Sequence, residues 1–217
     1  MCSSISRMGR CSILVIGLLG LVVGSAAVAE DVVEPKTKRA FAREESGLHL
    51  AGVGVRTKLF IKVYGVGFYV EPEEARRALA DFRGVSHEEL SGNDRFYSRL
   101  VGTGFSKAMV LQFVYNAGTK RTKDSFREGI ETNLPGMSPA GEEFLALFTG
   151  ELGKKGDRMI LRTDTTGRIV VLSNGKELGV VQDEALTTAL WKIWLGPEPI
   201  LPKLKADLVQ LLPPILE

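Results

Sequence analysis

The chain has 217 residues, with 28 Lys and Arg against 26 Asp and Glu and a formal net charge of +2. That balance lacks the basic surplus with which a nucleic-acid binder neutralises phosphates, so nucleic-acid partners are not expected. The only cysteines are Cys2 and Cys11. Both precede the folded part of the chain on the reading below, which removes disulfides, cysteine-ligated zinc and a cysteine nucleophile from consideration.

Arg7 and Arg10 precede the uncharged run SILVIGLLGLVVG at 12–24, and small residues lead on to Ala27-Val28-Ala29 before Glu30. A basic start, a short apolar core and an A-x-A ending describe a cleavable export signal over 1–29. The apolar run is shorter than the roughly 20 residues a helical span needs, so a retained anchor is the weaker alternative. The expectation is an exported protein (periplasm, secretory lumen or extracellular space) with no stable membrane anchor after cleavage. Removing 1–29 takes away two arginines and no acid, leaving acidic and basic side chains equal in number. Residues 30–46 (EDVVEPKTKRAFAREES) read as a polar leader with one edge strand at most, and 47–217 as one domain with a sizeable core.

Within that domain, 48–70 is rich in Val, Ile, Phe and Tyr and predicts two strands with a turn near Arg56–Lys58. Glycines 52, 54, 65 and 67 point to bulges or close backbone approach. Pro72 followed by two acids predicts a helix over 72–82. FYSRLVGT (96–103) and AMVLQFVYN (108–116) read as strands. Residues 119–134 place Phe126, Ile130 and Leu134 at steps of four, a thin helical stripe under a charged outer face. Ser138-Pro139 opens a further helix as cap and first-turn proline. Residues 158–164, 168–174 and 178–182 form a three-strand meander, with Asn174-Gly175 as its clearest hairpin turn. Asp183 caps a helix with an apolar face of Ala185, Leu186, Ala189, Leu190, Ile193 and Trp194, stopped by Gly196 and Pro197. A last amphipathic helix covers about 202–212. Strands grouped with strands and helices arriving in pairs predict an α+β fold: a largely antiparallel sheet with a helical layer over one face and a ligand cleft between them.

Several chemistries find no residues. With only His49 and His87, a histidine-based metal site is not expected, and the glycines of GVGVR lack the third glycine and the following helix of a dinucleotide fingerprint. No G-x-S-x-G elbow, phosphate loop or HExxH is present. The pairs Glu73-Glu74 and Glu142-Glu143 fall in helix first turns, where the helix dipole accounts for them. No catalytic residue, metal or cofactor is assigned.

One arginine stands out. Arg56 lies in AGVGVRTKLFIKVYGVGFYV (51–70), among the most apolar strand material of the chain. As continuous strand, Arg56, Lys58, Phe60, Lys62 and Tyr64 would share one face; a turn at Thr57-Lys58 would instead set Arg56 and Tyr64 on neighbouring strands. Pairing with an internal carboxylate, or snorkelling to solvent, is the plain reading of Arg56. As a ligand anchor, its planar fork suits a carboxylate, and a tyrosine hydroxyl adds one further hydrogen bond.

GVGVRTKLFIKVYGVGFYVE and the later VYNAGTKRTKDSFREGIETNL resemble the chalcone isomerase superfamily, over most of residues 47–213. The resemblance implies an open-faced β-sandwich, with a long curved sheet, a helical layer and a cleft between them. True isomerases of that superfamily share the strand arginine. The other positions of their set fall here on Tyr64, on Arg121 and Glu128 in the helix 119–134, and on Leu178, which cannot donate a hydrogen bond to a developing enolate oxygen. The fatty-acid-binding branch is more similar, holding a carboxylate with an arginine and a K-V-Y tyrosine that Arg56 and Tyr64 match. The resemblance therefore implies a non-catalytic protein that binds a fatty acid or similar hydrophobic carboxylate. Arg56, Tyr64, Phe60, Phe68, Tyr115 and Phe126 form the candidate ligand-binding set. The alternatives are an intramolecular lyase of the chalcone–flavanone isomerase type and a ligand-free interaction module on the same scaffold. The plant members of that branch make the plastid lumen the alternative location.

Overall fold

The structure, a computed structural model, describes residues 30–217; the export signal read at 1–29 lies outside the described residues. In chain order the elements begin with three short strands, β1 (Val32–Val33), β2 (Ala40–Phe41) and β3 (Glu44–Glu45), then β4 (Leu48–Lys58) and β5 (Ile61–Val70). Helices α1 (Pro72–Ala78), α2 (His87–Ser91) and α3 (Asp94–Val101) lead to strand β6 (Lys107–Phe113). Helices α4 (Thr119–Asn133) and α5 (Pro139–Ala146) precede β7 (Arg158–Thr163), β8 (Arg168–Ser173) and β9 (Lys176–Gln182). Helices α6 (Glu184–Leu195), α7 (Pro202–Asp207) and α8 (Pro213–Leu216) close the chain.

Strands β3 to β9 form one seven-stranded sheet in sequence order, every pair antiparallel. With the helices on one face this is the α+β layer arrangement expected. Alternation along the strands sends Val66, Phe68, Met109, Leu111, Met159, Leu161, Ile169 and Val171 toward the helices, where they meet Phe126, Phe144, Leu190, Trp191 and Trp194. The opposite parity, including Val53, Tyr69, Val110 and Ile160, forms a smaller cluster closed by Phe41 and Val32.

The polar leader is thus part of the fold. Strands β1 and β2 pair with each other and lay Phe41 over the sheet's second face, while β3 extends its edge. Gly65 and Gly67 let that cover approach: a Cβ on Gly67 would lie 2.7 Å from the Phe41 ring. Leader polarity hid this role, since Phe41 and the Val32–Val33 pair are too sparse for a periodic signal.

Segment 94–101 is a helix where alternation predicted a strand. Its buried residues are Phe96, Tyr97, Leu100 and Val101, an i, i+1, i+4, i+5 stripe, and the Asn93 side chain accepts from the Phe96 N–H as cap. His87 begins α2 behind a capping box of Ser86 and Glu89. The helix expected over about 202–212 stops at Asp207, as α7, and a separate short helix, α8, follows. Between the two the Leu211 N–H donates to Ala51 O at 2.7 Å, which ties the chain end to β4. That approach needs Gly52, where a Cβ would sit 2.4 Å from the Leu208 carbonyl carbon.

Candidate functional site

The β4–β5 turn falls at Leu59-Phe60, beyond Arg56–Lys58, because Lys58 and Ile61 are paired and only two residues connect them. The hairpin therefore sets Arg56 directly opposite Tyr64, with a register shift between Arg56 and Thr57 that bulges Val63 out of step. Continuous-strand parity does not apply; neighbouring strands bring the two side chains together. Tyr64 pairs on its other side with Phe113 of β6, their rings meeting edge to face at 5.5 Å. Arg56 and Tyr64 thus sit on the helix-covered face, at the end where α6 hands over to α7.

Arg56 is half-buried. Its Nη1 donates to Thr57 O at 2.8 Å and to Ile200 O at 3.1 Å, in the connection between α6 and α7. Among the described residues no carboxylate lies within ion-pair distance of it. Tyr64 is 9 % exposed, and its Oη accepts from the Trp194 Nε1–H at 3.2 Å. Burial pushes the phenol pKa up to about 12, against smaller opposing effects of the Trp194 hydrogen bond and the Arg56 charge. Near neutral pH the hydroxyl is protonated and able to donate.

Behind Tyr64 the two layers meet through aromatic rings. Phe126 of α4 packs on Phe148 at 5.0 Å, Phe144 at 5.6 Å and Trp194 at 6.0 Å. Phe68 is fully buried against Trp191 at 5.9 Å. The sequence-derived set therefore divides. Tyr64 and Phe126 meet through Trp194, Arg56 lies opposite Tyr64 on β4, and Phe68 lies deeper in the same interlayer core. Phe60 does not join them: it is the hairpin tip and 100 % exposed. The strand parity that placed it beside Tyr64 is interrupted by the turn. Tyr115 follows β6 at the same end of the sheet, 38 % exposed, its N–H donating to Val63 O.

Two residues went unmarked in the sequence. Trp194 stood only as part of an apolar stripe, although a buried indole N–H needs an acceptor and so signals a polar neighbour. Lys107 opens β6 on the same parity as Met109, Leu111 and Phe113, which aims it into the core. It is fully buried there, its Nζ donating to Gly102 O at the end of α3 and lying 4.1 Å from the centroid of the Phe105 ring. Burial lowers its pKa to about 7.

A family model described as chalcone isomerase-like matches residues 93–210, more than half of the chain. The chain belongs to the chalcone isomerase-like family. Among curated proteins, chalcone–flavanone isomerase 1A of Glycine max is similar at 25 % identity over 171 residues, covering 72 % of this chain and 78 % of that protein. Among solved structures, a fatty-acid binding protein of Arabidopsis thaliana superposes with a TM-score of 0.74 at 24 % identity, over 86 % of this chain and 99 % of that one. That likeness establishes the shared fold, the curved antiparallel sheet with its helical cover. The residues that the resemblance sets at the isomerase positions lie as follows. Arg121 and Glu128 are both exposed on the outer side of α4, whose buried face carries Thr122, Phe126 and Ile130. Leu178 packs at the edge of the core.

Proposed function

We propose that this chalcone isomerase-like protein binds a fatty acid or similar hydrophobic carboxylate between sheet and helices, without transforming it. Arg56 and Tyr64 hold the head group. The observation that carries the reading is their pairing across β4 and β5 on the helix-covered face, with no protein carboxylate among the described residues to neutralise the guanidinium. A guanidinium has five N–H donors, and the bonds it makes here engage Nη1 alone, with neutral carbonyls. A carboxylate accepts charge-assisted bonds about twice as strong as those. Tyr64 takes its own incoming bond from Trp194 and so has its proton to give. The acyl chain would lie against Phe126, Phe144, Phe148 and Trp194, displacing ring–ring contacts with apolar ones.

The test is uptake of lauric- to stearic-length acids by delipidated protein, with mass spectrometry of lipid carried through purification. Removing a charge-assisted anchor with Arg56→Ala should weaken uptake roughly 10- to 100-fold. Equal uptake by both proteins removes Arg56 from the site.

The similarity to the soybean isomerase favours a second reading, an intramolecular lyase. Ring closure of a chalcone needs donors around the enone oxygen, and Arg121 and Glu128 point away from the sheet while Leu178 offers none. Loss of chalcone absorbance faster than the spontaneous rate would make this the better account. Export belongs to the proposal as well, supported by the residue pattern of 1–29; a mature N-terminus at Glu30 checks it.

A further inference from the structure

The β4–β5 hairpin ends in two residues that are unusual in two independent ways. Leu59 and Phe60 both have positive φ, 47° and 68°, as a two-residue hairpin loop demands; Asn and Gly normally fill those positions because bulky side chains are strained there. Both also project into solvent, Leu59 at 83 % and Phe60 at 100 % exposure, with Ile61 beside them at 44 %. Strain and lost burial fall on the same side chains, and neither stabilises the fold.

Their surroundings are cationic. Lys58 and Lys62 flank the tip and are exposed. The Lys62 ammonium donates to Lys36 O at 2.7 Å, which brings the exposed Lys36 and Lys38 of the β1–β2 turn to the same end. Asn116 accepts from the Lys155 N–H at 2.8 Å, adding that exposed lysine beyond Tyr115. The acids nearby are Glu34, buried in the β1–β2 turn and accepting from the Lys36 and Thr37 N–H groups and the Thr37 hydroxyl, Glu151, which is paired with Lys154, Asp157, which accepts from the Lys154 N–H and the Asn174 amide, and Glu198 in the α6–α7 connection.

We propose that this end of the sheet is a reversible docking surface for an anionic lipid bilayer. Leu59 and Phe60 enter the acyl region, Tyr115 sits at the head-group level, and the lysines face lipid phosphates. An exposed aliphatic–aromatic tip ringed by lysines has the chemistry of peripheral membrane attachment. No helix among the described residues is long and apolar enough to cross a membrane, so the contact is superficial. A groove on another protein, or a second copy of this chain, would cover the apolar tip but gives no reason for the surrounding excess of positive charge. The proposal needs no bound fatty acid and is tested without one.

The experiment uses the full chain carrying Phe60→Trp, mixed with vesicles of equal parts phosphatidylglycerol and brominated phosphatidylcholine. Bromine quenches only nearby indoles, so attachment through residues 12–24 leaves the tip probe bright, and the unsubstituted chain reports the buried Trp191 and Trp194 as control. The expected result is quenching and a blue shift of the tip signal, lost with brominated phosphatidylcholine alone. At roughly fivefold per cation near an anionic surface, adding Lys58→Glu and Lys62→Glu should weaken tip partitioning about 25-fold or more. Leu59→Trp gives a second probe should the first distort the turn. A tip signal left unquenched by anionic vesicles overturns the proposal, as does quenching that ignores lipid charge. A blue shift that grows with protein concentration in the absence of vesicles reassigns the tip to self-association.

Discussion

Replacing Lys107 by methionine should flatten the pH dependence of stability. The ammonium lies in the core with Gly102 O as its hydrogen-bond acceptor and the Phe105 ring as its nearest cation-attracting surface. No acid among the described residues lies within ion-pair distance of it. Desolvation lowers its pKa from 10.5 to about 7. A folded-state pKa below the unfolded value means that the unfolded chain binds the extra proton between those two pH values, so stability rises with pH across that window. Integrating the two titrations from pH 7 to pH 10 gives a gain on the order of a few kcal/mol for the wild type that the Lys107→Met protein lacks. Urea unfolding of both proteins at several pH values measures it as a difference, in which all ionisations common to the two chains cancel. That cancellation matters at the alkaline end. There Tyr64 and Tyr97, both held near 12 by burial, contribute the opposite sign: folded pKa values above the unfolded ones lose stability as pH rises past 10. Parallel curves for the two proteins would refute the placement of Lys107 as a desolvated amine.

Three further outcomes are expected. Gly52→Ala puts a methyl 2.4 to 2.5 Å from the backbone of Leu208 and Asp207, so the chain end must lift off β4; overpacking of this kind costs roughly 1–3 kcal/mol, readable as a lowered urea midpoint. Trp194→Phe removes the donor to Tyr64 Oη at 3.2 Å and should cost about 1 kcal/mol. It should also move the phenol titration, followed at the phenolate absorbance, still higher, because that hydrogen bond lowers the pKa. Asp183→Ala deletes the cap that accepts the Leu186 N–H at 2.7 Å; the loss is about 1 kcal/mol, and Asp183→Asn should recover most of it.

The layer architecture was legible because period and punctuation agree in most segments. Asp183, Ser138 and Gly196 mark helix ends by capping chemistry, and Ser138 and Asp183 cap in the structure as the sequence marks them, while the caps Glu71, Ser86 and Asn93 went unmarked. Segment 94–101 misled because Phe96, Ser98 and Leu100 alternate as a strand would, while Asn93 and the i, i+4 pairs carried the helical signal. Of the site, the convergence of Arg56 with Tyr64 was foreseeable as a hairpin pairing. Phe60 was not separable from it, since a Leu-Phe dipeptide carries no turn signal: the backbone conformation it adopts is the one its side chains oppose. Lys107 illustrates the converse. Its inward parity is plain in the sequence, but only packing against Phe105 and Trp191 and the Gly102 carbonyl explains how a core accepts it.

For the carrier proposed here, the partners that Arg56 already has decide how a ligand enters. The guanidinium clasps Ile200 O, and Ile200 itself donates its N–H to Ile193 O at 2.8 Å, so the connection between α6 and α7 is pinned from both sides. A carboxylate that binds Arg56 competes with a neutral carbonyl and wins on charge; the released carbonyl then turns to water. The aromatic contacts of Trp194, one turn before that connection, are the ones an acyl chain must part. Head-group capture and interlayer opening therefore draw on the same segment, Gly196–Leu201. Hydrogen exchange at Ile200 and its neighbours should speed up in fatty-acid-bound protein relative to delipidated protein, while β6 to β8 amides stay unchanged. Slower exchange across that segment on ligand addition would contradict this entry route and leave the ligand reaching the core by another face.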